Sequence, residues 1–107
     1  MNHSDVDQVH LLSVAEAGNR IREGSVKPTE YVEALVERAR RLDPLLRCTI
    51  TLAADAALED ARAAEDEILH GKGRGPLHGI PVGVKDCIAT AGLRTTANSR
   101  VLADWVP

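Results

Sequence analysis

The sequence predicts an α/β fold, with helices at about 11–23, 28–42 and 55–69 and strands at about 48–52 and 80–85. Three observations predict it. Apolar residues recur at helical spacing in three stretches, each with a start signal. Two short runs, Cys48-Thr49-Ile50-Thr51-Leu52 and Ile80 to Lys85, are rich in β-branched residues and bounded by turn formers. The order strand–helix–strand over 48–85 is that of two parallel strands joined by a right-handed crossover.

The elements follow in order. Residues 1–8 are polar and are expected to fray. In the first helix, Ser13-x-x-Glu16 has capping-box spacing, in which each side chain satisfies the other residue's free backbone amide. Leu12 sits just before the cap. Leu11, Val14, Ala15, Gly18 and Ile21 fall on one face, and Gly24 is placed to stop the helix. The second helix opens at Pro28 or Thr29, since proline suits a first turn. Tyr31, Val32, Leu35, Val36 and Ala39 form its apolar stripe, Glu37 and Arg41 can pair on its outer face, and Asp43-Pro44 is expected to end it near Leu42.

Asp55 reads as the N-cap of the third helix, which runs to about Leu69 with Ala57, Leu58, Ala61, Ala64 and Ile68 inward. Its acidic residues Glu59, Asp60, Glu65, Asp66 and Glu67 read as a solvated face. His70 to Pro76 reads as a flexible loop, and Leu93 to Ser99 as a short extended segment followed by a turn.

Composition limits what this chain can be. Its 107 residues suffice for one small domain. Phenylalanine is absent, and Tyr31 and Trp105 are the only aromatic residues. The apolar mass is therefore alanine and aliphatic, which buries little area per residue and gives a weakly stabilised unit. A piece of a larger protein is the expectation. Net charge is −3, and the basic residues are scattered without aromatic interleaving, so nucleic-acid binding is not indicated. No run is long and apolar enough to cross a membrane, and the first residues lack the pattern of a secretory signal. Cys48 and Cys87 read as reduced thiols. The expected compartment is the cytoplasm.

Several features resemble sites without the right context. Gly71, Gly73 and Gly75 follow a helix and lead into a strand, the reverse of a dinucleotide or phosphate loop. His70 and His78 lack cysteine or carboxylate partners at metal-ligand spacing, and read as a solvated loop residue and a turn residue. No metal or cofactor is called for. Lys85 stands apart, because it is expected at the C-terminal end of a buried parallel strand, the edge where α/β active sites form. Desolvation there would favour its neutral form, which can serve as a general base. The alternative is a lysine that snorkels out of the sheet edge or pairs with Asp86.

The run Gly79-Ile80-Pro81-Val82-Gly83-Val84-Lys85-Asp86, with Gly75-Pro76-Leu77-His78 before it and Thr95-Thr96-Ala97-Asn98-Ser99 after it, resembles the amidase signature family. The resemblance covers nearly the whole chain and is densest from 75 to 107. It implies an α/β/α sandwich with a mixed sheet, of which residues 1–107 would be an incomplete N-terminal segment. It also implies cleavage of carboxamide C–N bonds by a Ser–cis-Ser–Lys triad, with Lys85 as the catalytic lysine. The implied ligand is a small-molecule amide. A homo-oligomer or partner subunits are compatible, as in the glutamyl-tRNA amidotransferases, whose A subunits are relatives within this class.

The family's glycine–serine run and its nucleophile are not in this sequence. Ser4, Ser13, Ser25 and Ser99 lack that context, and the chain alone is expected to be inactive. Asn98 stands where the family often has glycine, a substitution that a left-handed turn tolerates. Cys87 reads as a small core residue. The reading from another class is a non-catalytic remnant or interaction module.

Overall fold

The computed structural model describes residues 8–107. A single 3-10 turn, Val9–Leu11, leads into three helices: α1 (Val14–Glu23), α2 (Pro28–Leu46) and α3 (Ala54–Leu69). The expected frayed stretch, apart from Gln8, and Ser4 lie outside the described residues.

Local sequence sets the ends of α1. Ser13 Oγ accepts from the Glu16 amide at 3.1 Å, and Glu16 Oε2 accepts from the Ser13 amide at 2.8 Å. The capping box thus closes in both directions, for about 1 kcal/mol. Leu12, one residue before the cap, packs on the cluster that holds Ala17, which is the staple contact of such an N-terminus. Gly24 ends the helix with φ 81°, and its amide bonds back to Arg20 and Ile21. The inward face differs from expectation. Ala17, Gly18 and Ile21 are buried, whereas Leu11 and Val14 are exposed.

α2 starts at Pro28 as expected but runs through Pro44 to Leu46. Proline costs most in a helix interior, where it removes a hydrogen bond and crowds the preceding turn. Here it stands in the last turn, and Asp43 makes up for the lost order. The Asp43 carbonyl accepts from the Arg47 amide, and its Oδ1 accepts from the amides of Cys48 and Thr49 at 3.0 and 2.8 Å. Glu37 and Arg41 are exposed and form no ion pair among the described residues. α3 begins one residue before Asp55, with Ala53 at the N-cap position. Asp55 instead places its charge in the first turn, where the helix dipole favours it.

Two small clusters hold the helices. Val9, Ala17, Ile21, Val26 and Tyr31 form one, with Leu35, Ile68 and Ile80 against it. Val32, Val36, Ala54 and Ala61 form the other, with Ala57 and Leu58 against it. Each fully buried valine or isoleucine contributes about 1.5–3 kcal/mol. Thr29 Oγ1 donates to Glu65 Oε2 at 2.8 Å and ties α2 to α3, so this member of the acidic face is not simply solvated.

The segment after α3 docks back onto α1 and α2. A Cβ at Gly18 would lie 2.6 Å from the Pro76 carbonyl oxygen, so α1 and this loop meet backbone to backbone. Gly79, at φ 89°, sits against Pro28 and Ile21. Ile80 then enters the first cluster.

The α/β class is overturned. Among the described residues there is no strand, and the architecture is helical with extended connections. The runs 48–52 and 80–85 share no backbone hydrogen bond. The physical reason lies in the pairing. β-Propensity expresses itself only when a ladder forms, and two short strands alone are marginal. Asp43 takes the amides of Cys48 and Thr49, and Pro81 has none to give. No parallel pair and no crossover result.

Candidate active site

Lys85 ends the extended run 80–85 on the wall of a cavity of about 920 Å3. The run 48–53 lines it as well, and α2 contributes Val32, Leu35 and Val36. Val82, Val84, Ile50, Leu52 and Ile88 leave much of their apolar surface open there. Lys85 itself is exposed, which corrects the expectation of a buried strand end. Its side chain makes no ion pair among the described residues, with Asp86 or any other group. Its carbonyl accepts from the Ile88 amide at 2.9 Å.

Asp86 is occupied elsewhere. Its Oδ1 accepts from the Thr96 amide at 2.9 Å, and Thr96 Oγ1 donates to Oδ2. The Asp86 carbonyl accepts from the Ala97 amide at 3.0 Å. These bonds hold the carboxyl below the usual range, the Thr96 hydroxyl contributing most; its amide, the Asn98 amide and the Arg94 charge act in the same direction. Thr95 and Thr96 are buried. Ala97 and Asn98 both take left-handed backbone, at φ 48° and 58°. Asn98 adopts that conformation readily, as its position in the motif implied, whereas Ala97 does so at a cost. The Asn98 amide donates to Thr96 Oγ1 at 3.2 Å and closes the turn. The tail returns to the same place, where the Thr95 amide donates to the Trp105 carbonyl and the Gly92 amide to that of Pro107. The extended run is thus anchored at both ends, by Ile80 in the core and by Asp86 in the threonine turn.

Before that run lies a cluster that the sequence did not reveal. His78 lies in a turn, as expected, but its side chain is only 6% exposed, with Nε2 3.2 Å from Glu67 Oε2. Arg74 Nε donates to the same oxygen at 2.8 Å. Arg74 and His78 lie beyond the end of α3, so their spacings of seven and eleven residues from Glu67 are not those of one helix face, and no local pattern marks them. The Asp86–Thr96 bonds were equally hidden, although the threonine pair stood inside the recognised motif. His70 stays exposed at the end of α3 beside Asp66.

Among the described residues, no serine lines the cavity. Ser13 is spent on its cap, Ser25 Oγ donates to the Arg20 carbonyl, and Ser99 Oγ accepts from the Val101 amide. Cys87 is exposed on the cavity wall rather than in a core, and both cysteines are free thiols. No helix among the described residues is long and apolar enough to cross a membrane.

Comparison with known proteins agrees with the motif. The family profile described as Amidase matches residues 30–107. The chain is 40% identical over 100 residues to the A subunit of the glutamyl-tRNA(Gln) amidotransferase of Chloroflexus aurantiacus, covering 94% of this chain and 20% of that protein. It is 43% identical over 96 residues to the protein of the same name in Anaplasma phagocytophilum, covering 90% of this chain and 19% of that protein. The one in Moorella thermoacetica is 35% identical over 100 residues, covering 94% and 20%. The chain spans about a fifth of the length of the curated relatives it matches. No solved structure matches it.

Proposed function

This chain belongs to the Amidase family, and from that premise we propose that it carries the catalytic lysine of a cytoplasmic enzyme that breaks carboxamide C–N bonds. Lys85 is that lysine. The observation that supports the reading most is its placement, on an open cavity wall in a Gly-Ile-Pro-Val-x-x-Lys-Asp run anchored on both sides.

In this reading residues 1–107 form an incomplete part of one amidase-signature domain. Two serines come from further chain. Neutral Lys85 Nζ takes the proton of a bridging serine, which takes that of a nucleophilic serine. The nucleophile's oxygen adds to the amide carbonyl carbon, the C–N bond breaks, and the nitrogen leaves with a proton. Water then hydrolyses the acyl ester. A serine hydroxyl attacks poorly until a base removes its proton, which is why the lysine is indispensable. A lysine is a base only when neutral, and burial or a neighbouring cation makes it so. These residues leave Lys85 exposed, so in this reading further chain covers it as well as supplying the serines.

The names of the matched relatives favour one alternative within the class, the A component of a tRNA-dependent amidotransferase that works with partner subunits.

The test is the coding sequence beyond codon 107, followed by assay of the longer product on simple carboxamides. The expected result is a frame that continues into a glycine–serine run and a later serine. The product then hydrolyses amides, and Lys85→Ala lowers the rate at least about 100-fold. Turnover that survives Lys85→Ala, or a frame that closes after Pro107, overturns the proposal.

A further inference from the structure

The Glu67–Arg74–His78 cluster fixes the position of a single proton. The Arg74 backbone N–H donates to His78 Nδ1 at 3.0 Å. An amide N–H can only donate, so Nδ1 holds a lone pair, and the proton of the neutral ring is on Nε2. That nitrogen lies 3.2 Å from Glu67 Oε2, which can only accept as a carboxylate. Arg74 Nη2, which can only donate, lies 3.4 Å from Nε2 and competes with Glu67 there, so the main-chain donor at Nδ1 decides the tautomer. The buried ring joins α3 to the loop that precedes Ile80.

We propose that His78, as the Nε2–H tautomer, is a positioning residue for the segment that carries Lys85. It clasps residues 74–79 to α3 and so fixes the end from which the run 80–85 sets out. The catalytic meaning of this placement rests on the role proposed for Lys85, whereas the clasp itself does not.

The tautomer makes the clasp sensitive to protons on one side only. The charges facing the ring are Glu67 on α3, the Arg74 guanidinium, whose Nη2 is 3.4 Å from Nε2, and Arg22 on α1 across a small shared cavity. A second proton, at Nδ1, would set an N–H against the Arg74 N–H and break that bond. The Glu67 contact would remain and gain a charged donor. Mere filling of space by the ring would give no such one-sided response.

The experiment is NMR of the 107-residue chain, reading the ring nitrogens of His78 and the exchange of backbone amides. Near neutral pH, Nδ1 is expected in the unprotonated range and Nε2 in the protonated range. Acidification is followed on the ring nitrogens themselves, and once Nδ1 takes a proton, exchange of the Arg74 amide should speed about tenfold beyond its intrinsic pH dependence, the scale of one lost hydrogen bond. The amide signals of Val82 to Lys85 should move in the same titration, while the Ile21 methyl signals stay in place. Glu67→Gln keeps an acceptor and should keep the tautomer. Glu67→Ala leaves the Arg74 amide donor at Nδ1 and should keep it too, while freeing the ring from α3 and moving the Val82–Lys85 signals. A proton on Nδ1 at neutral pH, or Val82–Lys85 signals unmoved both in the titration and in Glu67→Ala, overturns the proposal. Because none of these readings uses turnover, a failed amidase assay leaves them intact.

Discussion

Gly18 on α1 faces the carbonyl oxygen of Pro76 across a gap that admits no side chain, since a Cβ there would come within 2.6 Å of that oxygen. Both partners are main chain, so neither can swing aside. The start of the family motif is therefore seated against the first helix.

Gly18→Ala should expose this constraint. Alanine favours a helix over glycine by about 1 kcal/mol, while overpacking a close contact costs about 1–3 kcal/mol. The clash is expected to win, giving a lower urea midpoint than the parent. A gain in stability would mean that α1 and the loop are not held together.

The threonine turn should loosen in acid. Hydrogen bonds lower the folded Asp86 value below that of the unfolded chain. Its contribution is therefore fully present above the unfolded carboxylate value, about 3.9, and is lost as pH falls through the lower folded value. Exchange of the Thr96 and Ala97 amides across that acidic window is the measurement. Asp86→Asn should abolish the dependence, because it has no carboxylate to protonate.

Ser13→Ala and Glu16→Ala should each cost about 1 kcal/mol and fray the first turn of α1, since each removes one of the two reciprocal bonds. Circular dichroism during urea unfolding reads both. Equal, negligible effects would mean that packing alone nucleates the helix.

Lys85→Ala should leave the unfolding midpoint of the 107-residue chain within about 0.5 kcal/mol of the parent, because an exposed side chain without a partner holds nothing together. A large loss of stability would assign Lys85 a structural contact and weaken the catalytic reading.

What the sequence revealed depended on how far its signals reach. The Ser13–Glu16 box and the Gly24 stop act over three or four residues, and both formed where the spacing placed them. The stripe of α2 was likewise readable, with Tyr31, Val32 and Val36 buried. Pro44 misled because the Asp43 side chain, which orders the chain beyond the proline, acts outside the helix pattern. The strands failed because a β-rich run is only half of a structure, and its pairing partner is not written in its own residues. Lys85 was singled out by its motif. Its exposure, the occupied carboxylate beside it and the buried ring of His78 all follow from contacts between residues distant in sequence.

The span from Ile80 to Asp86 has a fixed abutment at each end, one in the core and one in the threonine turn. Its length is therefore part of the site. One added residue would leave both abutments seated and bow the span outward, carrying the lysine off the cavity wall. One removed residue would take up to about 3.3–3.6 Å from the reach between the abutments. Over these few positions the residue count constrains the protein as firmly as residue identity does.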